Sequence, residues 1–387
     1  MTRPSVTRPS GTALAKAPLT RTPAARAPAA VRTGSASVRV EPVRVMICDD
    51  SATIRGAIAR MMETDPDIEV AAKVANGRQA IEEVGRGHYD VVILDIEMPV
   101  LDGMAALPLI LRAAPGVRVV MASTLTTRGA DIALRALRLG ASDYVPKPST
   151  IGSINDDGFR TELIQKVKGL ARLRRKVPVV ATNPLLPKPR PLPVRKPLLL
   201  AIGSSTGGPQ ALFTLVQGLG KVIEIPVVLT QHMPPSFTAM LADHLTRLGG
   251  MPCKEAKDGD ALVPRQILLA PGDRHMLIEG SPGRMKVRLT SDPPENFCRP
   301  SVDPMLRTAN AVCDGRVLVT MLTGMGHDGL AGTRAVVDAG GAAIAQDEAT
   351  SVVWGMPGAI AQAGLCHAIL PLPRIAPKLL DMLKGAR

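Results

Sequence analysis

The apolar residues of this chain fall into short unbroken runs, and between the runs they recur every three or four positions. From Val43 onward the runs are VRVMIC, IEVAAKVA, VVILD, VRVVMAS and DYVPKP. Helical spacing between and after them predicts helices around Ile54 to Met62, Arg78 to Gly85, Met104 to Leu111, Gly129 to Leu139 and Gly158 to Lys176. A continuous apolar run suits a strand covered on both faces, and strands that alternate with helices build a doubly wound parallel sheet. The alternation resumes in LLLAIG, IPVVLTQHMP, QILLAPGD, RVLVTMLTGMGHDG and AAIAQD. Helices are predicted from Pro209, over Phe237 to Leu248, Val302 to Val312 and Leu330 to Ala339, and at the C-terminus. A second open α/β sheet, mainly parallel, is expected there. MLIEG and MKVRLT flank Gly280, Ser281, Pro282 and Gly283, which predicts an antiparallel hairpin over Met276 to Leu289.

Two stretches follow neither period. Residues 1–42 are Pro, Ala, Arg and Thr of low complexity and bury too little apolar surface to offset their ordering entropy, so a disordered basic tail is expected. Val177 to Pro197 holds seven prolines, a spacing no helix or central strand accommodates, and residues 177–196 read as a linker. The expected α/β domains are 43–176 and 197–387, both of ordinary domain size.

The net charge of +13 changes this picture little. Residues 1–40 carry seven Arg or Lys and residues 165–197 carry ten, neither with an acid, and without those seventeen the remainder stands at −4. The basic charge thus lies in the tail, the linker and one helix end. At 2% aromatic content there is little to stack on bases, and no helix-turn-helix candidate occurs, so nucleic-acid binding is disfavoured. The five cysteines are scattered without C-x-x-C spacing, which suggests neither a disulfide framework nor a zinc site and reads as cytosolic. No apolar run approaches the roughly 18 residues of a membrane span, so no membrane insertion is expected.

Candidate chemistry collects at the carboxyl ends of the strands, where open α/β sheets place their sites. In the first sheet Asp49 and Asp50 follow the first strand and Asp95 ends the third. Ser123 and Thr124 end the fourth, and Lys147 follows the fifth, before Pro148 in an X-Pro bond prone to the cis form. Three clustered carboxylates repel, and an all-oxygen set of this kind suits Mg²⁺. In the second sheet Ser204 or Ser205 follows LLLAIG, His232 follows PVVLTQ, and Asp328 follows VLVTMLTGMGH. If those strands are neighbours, a hydroxyl, an imidazole and a carboxylate meet as a Ser-His-Asp constellation, with Gly324, Met325 and Gly326 offering N–H groups for an oxyanion hole. On spacing alone His275 and His327 compete for the base role, and Asp328 is equally a helix cap. The glycine turn after Ser205 fails both phosphate-binding patterns, since no Lys follows it and Ser205 stands where the second glycine of G-x-G-x-x-G belongs.

The residues Asp49-Asp50, LDIEMPVLDG from 94 to 103, Ser123-Thr124 and YVPKP from 144 resemble the receiver domain of bacterial response regulators. That resemblance implies Asp95 as phosphoacceptor, Asp49, Asp50 and Asp95 around Mg²⁺, and Ser123, Tyr144 and Lys147 as the switch hydroxyl, aromatic and cation. AIGSSTGGPQAL, TQHMPPSFT, APGDRHM, RPSVDPM, LTGMGHDG and AQDEATSVVWGMP resemble, in order, the catalytic domain of the chemotaxis protein-glutamate methylesterase and protein-glutamine glutaminase family. The resemblance implies Ser205 as nucleophile, His232 as base and Asp328 as acid, with Met325 and Thr206 in support. It departs at Cys298, where a histidine often precedes the Arg.

The implied activity is hydrolysis of glutamate methyl esters, and deamidation of glutamines, on methyl-accepting chemotaxis receptors. It implies a chemotaxis histidine kinase as phosphodonor to Asp95, Mg²⁺ for phosphorylation, and no cofactor at the esterase site. A cytoplasmic monomer, whose unphosphorylated receiver covers the active site, completes the expectation.

Overall fold

The first half of the chain folds around β1 (Val43–Cys48), β2 (Ile68–Val74), β3 (Val91–Asp95), β4 (Arg118–Ser123) and β5 (Asp143–Pro146). All are parallel, in the order β2-β1-β3-β4-β5. The structure, a computed structural model, describes residues 41–123, 126–147, 157–175, 187–191 and 195–384. The tail, Thr124, Pro148 and most of the Pro-rich segment lie outside the described residues. β3 is buried at every position, as a central strand covered on both faces must be. Side-chain caps start the helices where the sequence supplies them: Ser51 accepts from the Ile54 N–H, Asn76 from Gln79 and Asp102 from Ala105. The last helix of this half is Asp157–Arg175.

The second half is built on β6 (Leu199–Ser204), β7 (Val227–Gln231), β8 (Cys253–Glu255), β9 (Ile267–Leu269), β12 (Val317–Met321), β13 (Ala342–Gln346) and β14 (Ala368–Leu370). These form one parallel sheet, β14-β13-β12-β6-β7-β9-β8. The hairpin, β10 (His275–Ser281) with β11 (Arg284–Thr290), stands apart as a two-stranded antiparallel sheet. Helices Gly208–Leu219, Pro235–Arg247, Val302–Cys313, Leu330–Asp338 and Met356–Gln362 follow β6, β7, β11, β12 and β13. Two short edge strands were not predicted: β8, and β14, which interrupts the expected helical C-terminus before Leu372–Lys384.

Glu41–Arg387 is a single compact unit, and the two halves share a core. Leu134 and Tyr144 of the first half belong to the same buried cluster as Phe237 and Leu241 of the second. The Tyr144 ring stacks on Phe237 with centroids 4.6 Å apart and planes 14° from parallel. Offset aromatic pairs of this kind contribute about 1 kcal/mol beyond area burial.

Candidate active site

β6 lies between β12 and β7, in register Met321↔Gly203 and Ser204↔Gln231. The condition for the constellation is therefore met: the chain leaves these three strands at one sheet edge, carrying Ser205, His232 and Asp328. Ser204 is fully buried and its hydroxyl donates to Gln231 Oε1 at 2.7 Å. Ser205 is half-buried and faces a cavity of about 570 Å³. Its backbone is fixed from three sides, donating to Thr323 O (3.0 Å) and accepting from Gln231 Nε2 (3.0 Å) and the Gly208 N–H (2.7 Å). Gly207 turns the chain with φ 73° into the helix that begins at Gly208. A Cβ at Gly208 would lie 2.0 Å from Gln231 Oε1, so only glycine lets the turn approach the β7 end.

Asp328 is buried and collects five donors. His232 Nε2 stands 2.8 Å away, Ser301 Oγ 2.6 Å, the Val302 N–H 2.6 Å, the Asp303 N–H 3.2 Å and Asn296 Nδ2 2.9 Å. Burial works against its charge, but the hydrogen bond and charge of His232, then Ser301 and Val302, prevail and bring the carboxyl down to about 2. The other ring nitrogen of His232, Nδ1, stands 3.3 Å from Cys298 Sγ. Burial likewise disfavours the charged imidazole, yet Asp328 and Cys298 carry it up to about 10. Among the described residues no hydrogen bond joins Ser205 Oγ to the ring, and such bonds commonly tighten only when substrate binds.

The competing histidines separate clearly. His275 is buried with both ring nitrogens on backbone, Nε2 with Pro293 O at 3.1 Å and Nδ1 with the Ser301 N–H at 3.2 Å. His327 is exposed. Of the three expected oxyanion N–H groups, that of Gly324 is spent on Val353 O at 3.0 Å, which corrects that part of the expectation. Met325 and Thr206 both line the cavity.

The cavity roof comes from the five-stranded half: Tyr144, Glu162 and Lys166 line it opposite Ser205. Asp143 Oδ2 accepts the N–H of Gly207 at 3.1 Å, two residues past Ser205. Lys166 Nζ stands 3.2 Å from that same oxygen and donates to Tyr144 O at 2.5 Å. Asp143 and Lys166 are both buried. Burial raises the Asp143 carboxyl, partly countered by Lys166. Gln210 Nε2 donates to Leu137 O (2.7 Å) and Ala141 O (2.6 Å), and Arg172 reaches Glu348 Oε1 (3.0 Å) and Ser351 O (2.8 Å). Sequence reasoning missed Asp143, Lys166, Asn296, Ser301 and Gln231. Each acts through a distant partner, and only Gln231, beside the candidate base, carried a local signal.

At the far end of the first sheet, Asp49, Asp50 and Asp95 bring ligand oxygens within 4.8 Å of one another. Lys147 Nζ stands 2.6 Å from Asp95 Oδ2 and 2.9 Å from Asp49 Oδ2. Burial, reinforced by Asp49, pushes the Asp95 carboxyl up to about 6 against the pull of Lys147. One ammonium against three carboxylates leaves excess negative charge on an all-oxygen donor set, which fits a hard divalent cation. Ser123 is buried beside this cluster with its hydroxyl donating to Gly129 O at 2.9 Å, whereas Tyr144 points away, into the contact between the halves.

A phosphoacceptor-type acidic cluster on a parallel five-stranded sheet, joined to a Ser-His-Asp edge on a seven-stranded one, defines a receiver-controlled serine hydrolase. Comparison with known proteins agrees: the response regulator receiver domain matches residues 45–157 and the CheB methylesterase domain residues 200–379. A protein-glutamate methylesterase/protein-glutamine glutaminase of group 2 operon from Rhodospirillum centenum is 53% identical over 87% of this chain and 93% of its own length. A protein-glutamate methylesterase/protein-glutamine glutaminase from Azospirillum brasilense is 50% identical over 87% of this chain and 92% of its own length. The crystal structure of the Thermotoga maritima CheB catalytic domain is 37% identical and covers 49% of this chain and 100% of its own, with a TM-score of 0.47. The chain belongs to the CheB family of protein-glutamate methylesterases/protein-glutamine glutaminases.

Proposed function

We infer that this chain is a phosphorylation-activated protein-glutamate methylesterase and protein-glutamine glutaminase that acts on methyl-accepting chemotaxis receptors. The observation that carries the reading is the β12-β6-β7 adjacency, which sets Ser205, His232 and Asp328 around one cavity. Ser205 Oγ attacks the γ-carbonyl of the glutamyl ester while His232 Nδ1 takes its proton, and Asp328 holds the ring and its charge through Nε2. The tetrahedral oxyanion falls beside the Met325 turn, with Thr206 in support. Collapse expels methanol, protonated by His232, or ammonia from a glutamine. Water, deprotonated by the same base, then attacks the acyl-enzyme to release glutamate and free Ser205. No step calls for a cofactor at this site.

The proposed organisation is a receiver over 43–176 and a catalytic domain over 197–387, joined by 177–196 and preceded by the tail. Asp95 would take a phosphoryl group from a chemotaxis histidine kinase, Asp49, Asp50 and Asp95 would hold Mg²⁺, and Lys147 and Ser123 would contact the phosphoryl oxygens. When bound, the ion supplies charge neutralisation for the incoming phosphate. The gating reading draws support from the roof over Ser205 and from the Asp143 carboxylate on the Gly207 N–H, a donor otherwise free to meet negative charge at a helix N-terminus. Among the described residues no helix is long and apolar enough to cross a membrane. We place the protein in the cytoplasm as a monomer that binds no nucleic acid.

The test is methanol release from methylated receptor membranes, with and without acetyl phosphate and Mg²⁺. Ser205→Ala is expected to lose roughly 10⁴-fold or more, and Asp95→Ala to keep its basal rate but lose stimulation. Turnover retained in Ser205→Ala refutes the nucleophile assignment.

A further inference from the structure

Glu295 and Cys298 pair through both backbone hydrogen bonds, Glu295 N–H to Cys298 O at 3.1 Å and Cys298 N–H to Glu295 O at 3.0 Å. The two residues between them, Asn296 and Phe297, have φ of 54° and 63°. A two-residue loop with both φ positive is a type I′ turn, for which Asn-Gly is the favoured sequence. The Asn is present, but a phenylalanine stands where glycine would be the relaxed choice, since its Cβ disfavours left-handed backbone.

That phenylalanine covers nothing. Phe297 is 103% exposed, while the other aromatic residues among the described ones are buried or half-buried. The turn is nonetheless hydrogen-bonded to the groups around the His232 ring on both sides. Asn296 Nδ2 donates to Asp328 Oδ1 and Asp303 Oδ2, both at 2.9 Å, and Cys298 Sγ touches the His232 ring. Glu295 is clamped by Arg307 in a bidentate pair of 2.5 and 2.7 Å. Phe297 itself lines the mouth of the cavity that holds Ser205. A strained, fully exposed aromatic on a hydrogen-bonded turn beside the proposed reaction centre has the marks of a residue retained for contact with another molecule.

We propose that Phe297 is a specificity-determining residue that packs against an apolar side chain of the receptor segment carrying the esterified glutamate, and so selects which glutamates reach Ser205. The proposal rests on the esterase reading above. The ring would bury its apolar faces against the substrate protein and would add nothing to bond making or breaking at the ester.

The experiment uses the full chain with acetyl phosphate and Mg²⁺, and follows initial rates of methanol release against the concentration of methylated receptor in membranes. Phe297→Gly is expected to raise KM about tenfold, the loss of one well-packed aromatic anchor, with the loss carried by KM in preference to kcat. Phe297→Tyr should restore most of it. The thermal midpoint of Phe297→Gly should equal or exceed that of the parent, because glycine suits the turn better. A KM within twofold of the parent, a loss confined to kcat, or a lowered midpoint showing that the ring supports the fold each overturns the proposal. Absence of methanol release from the parent chain overturns the esterase reading and this proposal together, whereas an active parent with an unaffected Phe297→Gly overturns this proposal alone.

Discussion

His232 is the general base of the proposed mechanism, and its two ring nitrogens face very different partners. Burial disfavours its cation, but the Asp328 hydrogen bond and then the Cys298 sulfur hold the proton and carry the group from 6.5 to about 10. A general base must be neutral to accept the serine proton, so kcat/KM should rise with pH through the neutral range and well beyond the usual histidine value. Cys298→Ala removes the sulfur contact at Nδ1 while leaving Asp328 in place. The acid limb should then move to lower pH, making the variant up to about tenfold more active at pH 7. A pH–rate profile with an unmoved limb would show that the sulfur does not hold the base. The same pairing stabilises the fold, with opposite signs for its two members. A raised imidazole contributes fully below 6.5 and loses that contribution as pH climbs toward 10. A lowered carboxyl contributes above 3.8 and loses it as pH falls toward 2. Denaturant midpoints should therefore fall on both sides of the interval between these limits, and Asp328→Asn should flatten both slopes.

At the level of elements, the helix Asp157–Arg175 meets the loop after β13 through one glycine. A Cβ on Gly169 would lie 1.9 Å from Val352 O, and a Cβ on Gly207 would lie 2.4 Å from Val352 Cγ2. Val352 is thus wedged between the helix Asp157–Arg175 and the turn that follows Ser205. Gly169→Ala should force that helix away at a cost of about 1–3 kcal/mol, lowering the thermal midpoint and raising methanol release in the absence of phosphodonor. A lower midpoint with unchanged basal release would separate the packing from the gate. None of this wedge was legible in the sequence, where Gly169 reads as a blemish in a helix and Val352 as one more apolar residue. The interior strands were legible because buried parallel strands are unbroken apolar runs, and the hairpin because its turn residues announce it. β8 and β14, at three residues each, are too short to show a period. The Ser205, His232 and Asp328 set could be narrowed because Ser205 and His232 directly follow unmistakable strands and Asp328 lies in the loop after a third, and the family motifs then chose them over Ser204, His275 and His327. Asp143 could not, because the N–H it accepts lies 64 residues away.

Across the whole molecule, the five-stranded half lies against the candidate active site through a shared apolar core, a stacked aromatic pair and a few polar contacts. Gln210 is the most informative of these, because its side chain belongs to the helix that starts just after Ser205 and both its acceptors are receiver carbonyls. Net values of about 0.5–1.5 kcal/mol per hydrogen bond imply that Gln210→Ala shifts the covered-to-open equilibrium by roughly tenfold. Arg172 adds a second tether through Glu348 and Ser351, so Arg172→Ala should act in the same direction. The Asp143–Lys166 pair makes a poorer probe, since removing either partner strands a buried charge and risks the fold itself. If the open form is the active one and is scarce without phosphate, basal methanol release by Gln210→Ala should rise up to about tenfold while the acetyl phosphate rate stays near the parent value. Because the substitution acts downstream of the acidic cluster, Gln210→Ala combined with Asp95→Ala should keep the raised basal rate and show no stimulation. A double variant as quiet as Asp95→Ala alone would mean that these contacts do not hold the cover, and that phosphorylation acts through the Asp143 carboxylate on the Gly207 N–H or through the Val352 wedge.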